Sequence, residues 1–254
     1  MSERRYPNGE LYEPAQVLEM IFEYAQDARL FVTLPSGTML IRARHQAKKG
    51  QFRTAADLGP PPKTLAKANR MSPLGIVVFY ASQESATALA EVADEAGTFA
   101  VGAFETLRDA TILALTNLPP VPSMFWEIPD SMEYDPRPRR RFLQEVESDI
   151  SRPIARDDKI HIEYVPTQIV AEFLRTVTTI DGRQVDGVRY RSTRRAGGSS
   201  IVLFANQDNV VLPSELRDDL YGFKRDRWLQ LRKVTNRAVS ADHIANWAQH
   251  APRW

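Results

Sequence analysis

The residues best suited to chemistry lie around one predicted strand-to-helix junction. Arg70 precedes a turn at 73–75, an apolar run from Ile76 ends in Tyr80, and the following helix carries Glu91. This order brings a cation, an aromatic ring and a carboxylate close together. Corners where a strand meets a helix commonly bind ligands. The stretch therefore predicts a ligand-binding corner.

The pattern around Glu91 leaves two interpretations open. On a helical projection, Glu91 lies with Glu84 and Glu95, opposite the apolar side chains Leu89, Val92, Ala93 and Ala96. This arrangement is typical of a solvated helix face, and a carboxylate lining a cleft would produce the same arrangement. Tyr80 also has two interpretations. An aromatic residue at the end of an apolar strand is typical of a core position with a solvated hydroxyl, and the same residue could contact a ligand.

Arginines inside predicted strands are further candidates for ligand contact. Arg42 interrupts the apolar run Met39–Ile41, and Arg44 shares its face by alternation. A charge within a strand needs either a partner or an anionic ligand. Arg189 and Arg191 repeat the pattern on a later strand, so each of the two pairs is a surface pair or an anion-binding pair.

Hydrophobic periodicity predicts the elements that must position these side chains. Residues 45–70 read as a long loop, and residues 117–138 as an irregular excursion. Helices are predicted over 13–30, from Ser85 as N-cap to Ala96 with Gly97 just beyond, and over 139–149, 167–177, 214–220 and 240–247. Strands are predicted over 39–44, 76–81, 98–104, 111–116, 186–192, 200–204 and 228–231.

Composition excludes several classes of function. The chain of 254 residues has no cysteine, which excludes disulfides, thiol catalysis and cysteine-ligated zinc. With 33 basic and 32 acidic side chains the net charge is +1, so nothing in the balance predicts nucleic-acid binding. The four histidines, His45, His161, His243 and His250, lack metal-ligand spacing, and no metal site is predicted. The GxSxG, HExxH, Walker A and GxGxxG motifs are absent.

The distribution of apolar residues predicts a soluble, cytoplasmic protein. The N-terminal residues are polar and lack the apolar core of a secretory signal. No run approaches the roughly 20 apolar residues that span a bilayer, so no membrane association is expected.

Taken in order, these segments resemble the RES domain family, and the resemblance spans roughly 38–235. Each motif is short, and their order and spacing together are specific. The motifs that carry it are Ile41–Arg44, Arg70–Gly75, Phe79–Tyr80, Thr87–Glu91, Pro166–Gln168, Asp186–Ser192 and Gly197–Phe204.

The resemblance implies an α+β fold with mixed and antiparallel sheets and flanking helices, similar to that of ADP-ribosyltransferase toxins. It implies an enzyme that consumes NAD⁺ by cleaving the nicotinamide–ribose bond, as an NAD⁺ phosphorylase or glycohydrolase. Inorganic phosphate would be the co-substrate of a phosphorylase, and no prosthetic group is implied. It also implies a bacterial toxin paired with an Xre-type antitoxin protein.

The family's functional residues carry over to five positions. Glu91, Arg42 and Ser192 are the expected catalytic residues, and all five are expected to contact NAD⁺. Glu91 would stabilise positive charge on the ribose. Arg42 and Arg70 would hold the diphosphate or an attacking phosphate. Tyr80 would stack on the nicotinamide or its ribose, and Ser192 would orient the substrate through a hydrogen bond.

Two other functions stay open at this point: a protein ADP-ribosyltransferase and a nucleotide-binding module without catalysis. The second strand of the last motif often carries an asparagine in the family, whereas this chain has Ser199 and Ser200, and Asn206 follows without a clear alignment. The acceptor, the existence of an antitoxin and a homo-oligomeric state also stay open.

The predicted organisation is an N-terminal helical extension over 1–37 followed by one compact RES-like catalytic domain over 38–254. The segment 117–160 is an insertion relative to the shortest toxins of the family.

Overall fold

The protein is built around a mixed eight-stranded sheet, seen in a computed structural model that describes residues 13–130, 132–152, 160–211 and 226–249. The strands in chain order are β1 (Phe31–Leu34), β2 (Met39–Gln46), β3 (Phe79–Ser82), β4 (Gly97–Thr106), β5 (Ala110–Ala114), β6 (Thr179–Ile180), β7 (Arg183–Gln184), β8 (Gly187–Arg191), β9 (Ser199–Leu203) and β10 (Leu229–Val239). The order across the sheet is β1-β5-β8-β9-β3-β2-β4-β10, and β6 and β7 form a separate hairpin. The β5–β8 pair is parallel, whereas the other pairs are antiparallel.

Helices flank the sheet, which confirms the predicted α+β class. They are α1 (Pro14–Asp27), α2 (Ala55–Leu58), α3 (Ser85–Val92), α4 (Pro136–Ser151), α5 (Ile160–Glu163), α6 (Val165–Thr176) and α7 (Ala241–Gln249). None of the helices in the described residues is both long enough and apolar enough to cross a membrane.

The core has separate clusters on the two faces of the sheet. The first joins α1, α4 and α6 to the strands through side chains such as Ile21, Leu143, Leu174 and Val188. A second lies against α2 and contains Leu40, Leu58, Phe79 and Phe104. Successive strand residues point to opposite faces, so Phe79 belongs to the second cluster and Tyr80 packs against the first.

A third cluster holds α3 against β2 and β4, through Leu89 on α3, Ala93 just beyond its end, and Ala43, Phe99 and Val101 on the strands. Burial of these apolar side chains fixes the helix on the sheet. The face of α3 that carries Glu91 is thereby directed away from this cluster.

The sheet is weakly joined at its centre. β2 pairs with β4 over eight positions, and β3 pairs with β9 over four. Between β2 and β3, by contrast, the register consists of Ile41 opposite Ser82. This short contact leaves space between the ends of two central strands, and α3 begins directly after β3.

The predicted helix over 85–96 was too long. α3 has Glu84 as N-cap and ends at Val92, where Ala93 takes an extended backbone. Gly97 opens β4 instead of capping a helix. A Cβ on Gly97 would lie 2.7 Å from Nε2 of His45, so this glycine leaves room for the His45 side chain of the paired strand β2.

Other bounds also differ from the prediction. The predicted loop 45–70 contains α2, started by a capping box in which Thr54 and Asp57 bond each other's backbone, and a 3-10 turn at Lys63–Leu65. β3 starts at Phe79 instead of Ile76, because Ile76 bonds Pro73 in a turn. β10 extends to Val239, because its backbone pairs with β4 over this whole length. The polar residues in this stretch give no clear strand pattern in the sequence. The predicted helix 214–220 lies outside the described residues.

The N-terminal segment is part of the same sheet and core. β1 pairs with β5, and α1 contributes Ile21 and Ala25 to the first cluster. The boundary at residue 38 stays a prediction.

We expect Gly187→Ala to lower the free energy of unfolding by about 3 kcal/mol. Its new methyl would lie 2.2 Å from the carbonyl oxygen of Val202 on the paired strand β9, and that backbone cannot move without breaking the ladder. Gly182→Ala is the comparison, because its new methyl would lie in open space. The backbone at Gly182 has a left-handed φ of +74°, which an alanine adopts at a cost of about 1 kcal/mol, so a loss of that size is expected. Urea unfolding of both variants measures the difference, and equal losses would contradict the steric explanation.

Candidate active site

A cavity of about 570 Å³ opens beside the short β2–β3 contact. Its wall combines side chains from β2, β3, α3 and β8. Residues that follow β8, and residues of the segment before β3, also contribute to it. The charged and aromatic residues that line it are Arg42, Arg70, Tyr80, Glu91, Tyr164, Tyr190 and Arg194. Four of the five residues predicted from the sequence thus lie on one cavity.

Glu91 is partly buried in this wall and is held by two serines from the β8–β9 hairpin. Its Oε1 accepts hydrogen bonds from the hydroxyls of Ser192, at 2.6 Å, and Ser200, at 3.1 Å. Both bonds end on the same oxygen, and among the described residues Oε2 receives none. Of the two interpretations of Glu91, the cleft-lining one agrees with the structure, and Val92, predicted on the core side, also lines the cavity.

Ser192 lies behind Glu91 and has no exposed surface. Its Oγ accepts hydrogen bonds from the backbone N–H groups of Arg194 and Arg195, at 3.2 and 3.1 Å. These two bonds use the oxygen's lone pairs and direct the hydroxyl proton to Glu91. The geometry therefore lets Ser192 act on a ligand through the carboxylate that it holds.

Arg42 presents a guanidinium to the cavity at a cost in free energy. Its Nη1 is buried and has no hydrogen-bond partner among the described residues. Its Cζ lies 5.3 Å from the centre of the Phe79 ring. Burial lowers the pKa of Arg42 to about 10, and the nearby charge of Arg44 adds to this shift. The side chain is still a cation at neutral pH, and a buried donor without a partner is costly unless an anion or another acceptor pairs with it.

Arg70 is anchored on one side and open on the other. Its Nη1 donates to the carbonyl of Ile150, in the last turn of α4, at 2.7 Å. The partial negative charge at a helix C-terminus favours a cation there. The Tyr164 ring centre lies 5.8 Å from Cζ. Thr167 and Gln168 on α6 bind the backbone of the turn at 69–72, which fixes the segment that carries Arg70.

Tyr80 is also fixed by this turn, because its hydroxyl accepts a hydrogen bond from the backbone N–H of Met71 at 3.0 Å. Burial raises the pKa of Tyr80 to about 12, against the opposing effect of the bonds from Met71 and Ser72. The phenol is therefore neutral under ordinary conditions, and its ring forms a flat wall of the cavity.

We expect Tyr80→Phe to lower the free energy of unfolding by about 1–2 kcal/mol, because the Met71 N–H loses its acceptor in a buried position. Tyr134→Phe is the matched control: its hydroxyl donates to Asp27 at an exposed position, where water replaces the lost partner. Urea unfolding monitored by fluorescence measures both variants. An equal loss of unfolding free energy in the two variants would show that the bond to Met71 stabilises the fold no more than the exposed bond to Asp27 does.

Sequence reasoning missed further side chains of the wall, including Tyr190, Ser200, Tyr164 and Arg194. Tyr190 is buried, and its pKa is raised well above the ordinary value by burial and by the charge of Glu91. Strand alternation could have indicated it, because Tyr190 and Ser192 share a face of the strand. Ser200 was noted only as a departure from the family. Tyr164 and Arg194 gave no sequence signal, since tertiary structure alone brings them to the cavity.

Other candidate residues have different roles. Arg44 is exposed, stacks on Phe52 and donates to the carbonyl of Asp57. Arg191 pairs with the buried Glu147, and Asn206 caps a 3-10 turn. Among the described residues, no group of three or more histidine, aspartate or glutamate side chains is placed to hold a metal ion. The side chains of His161 and His250 lie outside the described set.

Comparison with known proteins agrees with the resemblance in the motifs. The sequence model of the RES domain matches residues 39–226, about three quarters of the chain, and covers every residue of the cavity wall named above. No curated protein and no solved structure matches the chain. From the extent of the family match and the order of its motifs, the chain belongs to the RES domain family.

Proposed function

We propose that this protein is an NAD⁺-consuming enzyme that cleaves the bond between nicotinamide and ribose, as an NAD⁺ phosphorylase or glycohydrolase. The observation that carries the proposal is the carboxylate of Glu91, held by two serines in a cavity that also presents the guanidinium groups of Arg42 and Arg70. Membership of the RES domain family supports it, because NAD⁺ cleavage is the chemistry expected of that family.

Glu91 has the properties that the bond cleavage requires. When the C–N bond breaks, its electron pair leaves with the nicotinamide nitrogen, and positive charge develops on C1′ and the ring oxygen of the ribose. A fixed carboxylate stabilises such a charge without having to reorganise during the reaction. Because Ser192 and Ser200 bind Oε1, we assign Oε2 as the oxygen that faces the ribose.

The two arginines suit the diphosphate of NAD⁺ or an attacking phosphate. Guanidinium groups bind phosphate oxygens through paired N–H donors. Arg42 offers a buried donor without a partner among the described residues, so an anion paired with it would remove an existing penalty. Arg70 is already oriented by Ile150, and less side-chain entropy is lost when it binds.

Tyr80 and Tyr190 supply the apolar part of the cavity. Both phenols have raised pKa values because they are buried, so both stay neutral. A neutral aromatic ring can stack on the flat nicotinamide. The acceptor oxygen then bonds to C1′, and when the acceptor is water the reaction releases one proton to the solvent.

The test is incubation of the purified full-length protein with NAD⁺, with and without inorganic phosphate. Nicotinamide release in both conditions with ADP-ribose as product indicates a glycohydrolase. Release that requires phosphate, with a phosphorylated ADP-ribose as product, indicates a phosphorylase. Label transferred from NAD⁺ to protein would show an ADP-ribosyltransferase instead, and saturable NAD⁺ binding without product would show a non-catalytic module.

We further propose that the activity acts as a cytoplasmic toxin and is neutralised by an Xre-type antitoxin. Depletion of NAD⁺ would arrest growth of a cell that expresses the protein. Induced expression with measurement of cellular NAD⁺ tests this role, and co-expression of the product of a neighbouring gene tests the antitoxin. Sedimentation of the purified protein tests a homo-oligomer. Normal growth with normal NAD⁺ during expression of folded protein would contradict the toxin role.

A further inference from the structure

The turn that connects β8 to β9 contacts both ends of the helix α3. We define this turn as residues 192–198 and call it the β8–β9 turn. At the start of α3, Arg195 forms an ion pair with Glu84 through Nη1 and donates to the hydroxyl of Thr87 at 2.9 Å. Thr87 in turn donates to Glu84 at 3.1 Å, so three side chains form a closed group.

The end of α3 has a second attachment. Nη2 of Arg194 lies 2.6 Å from a carboxylate oxygen of Asp94, and Nη1 donates to the carbonyl of Ala90 at 3.3 Å. Cations at a helix C-terminus bind carbonyls that have no partner within the helix. Glu91 lies within the second attachment, between Ala90 and Asp94.

The turn also packs closely against the helix. A Cβ on Gly198 would lie 2.5 Å from the hydroxyl of Thr87, so the turn cannot carry a larger residue there without moving the helix. The same turn holds Ser192, whose hydroxyl binds Glu91 and is oriented by the N–H groups of Arg194 and Arg195. A shift of the turn would thus move the serine and the helix relative to each other.

We infer that the β8–β9 turn clamps α3 at both ends and thereby positions Glu91 for the reaction, with Arg195 as a positioning residue outside the cavity. The inference rests on the proposed function for its kinetic consequence. Arg195 and Glu84 are 31% and 51% exposed, and exposed ion pairs contribute little to global stability. We therefore expect this ion pair to affect mainly the position of Glu91. Small displacements of a catalytic group lower turnover strongly.

The test compares Arg195→Ala with Arg232→Ala. Arg232 forms an ion pair of similar exposure with Glu105, between β10 and β4, and serves as the matched control. We expect Arg195→Ala to lower kcat for nicotinamide release about tenfold with little change in KM, and Arg232→Ala to leave both unchanged. Arg195→Lys, which keeps the charge, should restore kcat to within about threefold of the original protein.

Hydrogen exchange provides a second measurement that does not depend on NAD⁺. We expect the amides of residues 85–92 to exchange about tenfold faster in Arg195→Ala and at their original rate in Arg232→Ala. Unchanged exchange in α3 would overturn the clamp, and faster exchange with unchanged kcat would overturn its role in positioning. If the unaltered protein does not cleave NAD⁺, the proposed function fails, while hydrogen exchange still decides whether the clamp exists.

Discussion

Replacement of Glu91 by glutamine is expected to lower kcat for nicotinamide release about a thousandfold, because the variant loses the charge that stabilises the ribosyl cation. Glutamine has nearly the same shape, and its Oε1 can still accept the hydrogen bonds from Ser192 and Ser200. The fold and the affinity for NAD⁺ should therefore change little. Steady-state kinetics with chromatographic detection of nicotinamide measures the effect.

Glu95→Gln is the matched control for Glu91→Gln. This substitution removes the same charge, but from an exposed position just beyond the end of α3. We expect its kinetics to equal those of the original protein. A Glu91→Gln enzyme that keeps kcat within about threefold would exclude Glu91 from the chemical step, since loss of a transition-state charge interaction costs far more.

Replacement of Arg42 by methionine is expected to lower kcat/KM for NAD⁺ about a hundredfold, mostly through KM, without loss of stability. The kinetic loss follows from the missing phosphate contact, because charge-assisted bidentate bonds are among the strongest in proteins. The free energy of unfolding should stay equal or rise. The buried Nη1, which has no partner in the part of the chain that the structure describes, now costs about 1–3 kcal/mol, and methionine can fill the space without a polar group.

The lowered pKa of Arg42 gives the sign of this stability effect. Its pKa is about 10 in the folded protein, below the ordinary value, because burial disfavours the charged form. The unfolded chain therefore binds the proton more tightly, and the penalty on folding is fully present at neutral pH. It diminishes only as the pH rises through about 10.

Arg44→Met is the control for Arg42→Met, since Arg44 lies on the same face of β2 but is exposed and contacts Phe52 and Asp57. We expect unchanged kinetics and a small loss of stability from this variant. Kinetics and urea unfolding of both variants provide the comparison. An unchanged KM in Arg42→Met would remove Arg42 from substrate binding, and a larger stability loss than in Arg44→Met would make it a structural residue.

The parts of the fold that could be predicted are those with strong local signals. The strand β9, from its apolar run, and the helix α4 were predicted within about three residues of their true bounds. The end of α3 was missed because alanine and glutamate at 93–96 favour a helix, whereas strand pairing of β4 decides the backbone there. β10 was predicted too short for the same reason, since its register depends on a distant partner.

The candidate site could be predicted only in part. Residue type and motif order indicated Arg42, Arg70, Tyr80, Glu91 and Ser192. Local sequence could not reveal the wall residues Tyr164 and Arg194, because their place on the cavity depends on how α6 and the β8–β9 turn pack. It also could not show that Ser192 is buried behind the carboxylate instead of lying open to a ligand.

Residue types and motif order were enough to identify the candidate chemical groups, to exclude cysteine chemistry and to indicate the RES domain family. The tertiary structure decided which way Glu91 faces. A helical projection places Glu91 on a polar side, and this position is compatible with both solvent and a cleft. Hydrogen bonds from serines 101 and 109 positions away select the cleft, because they form only when the β8–β9 hairpin lies beside α3.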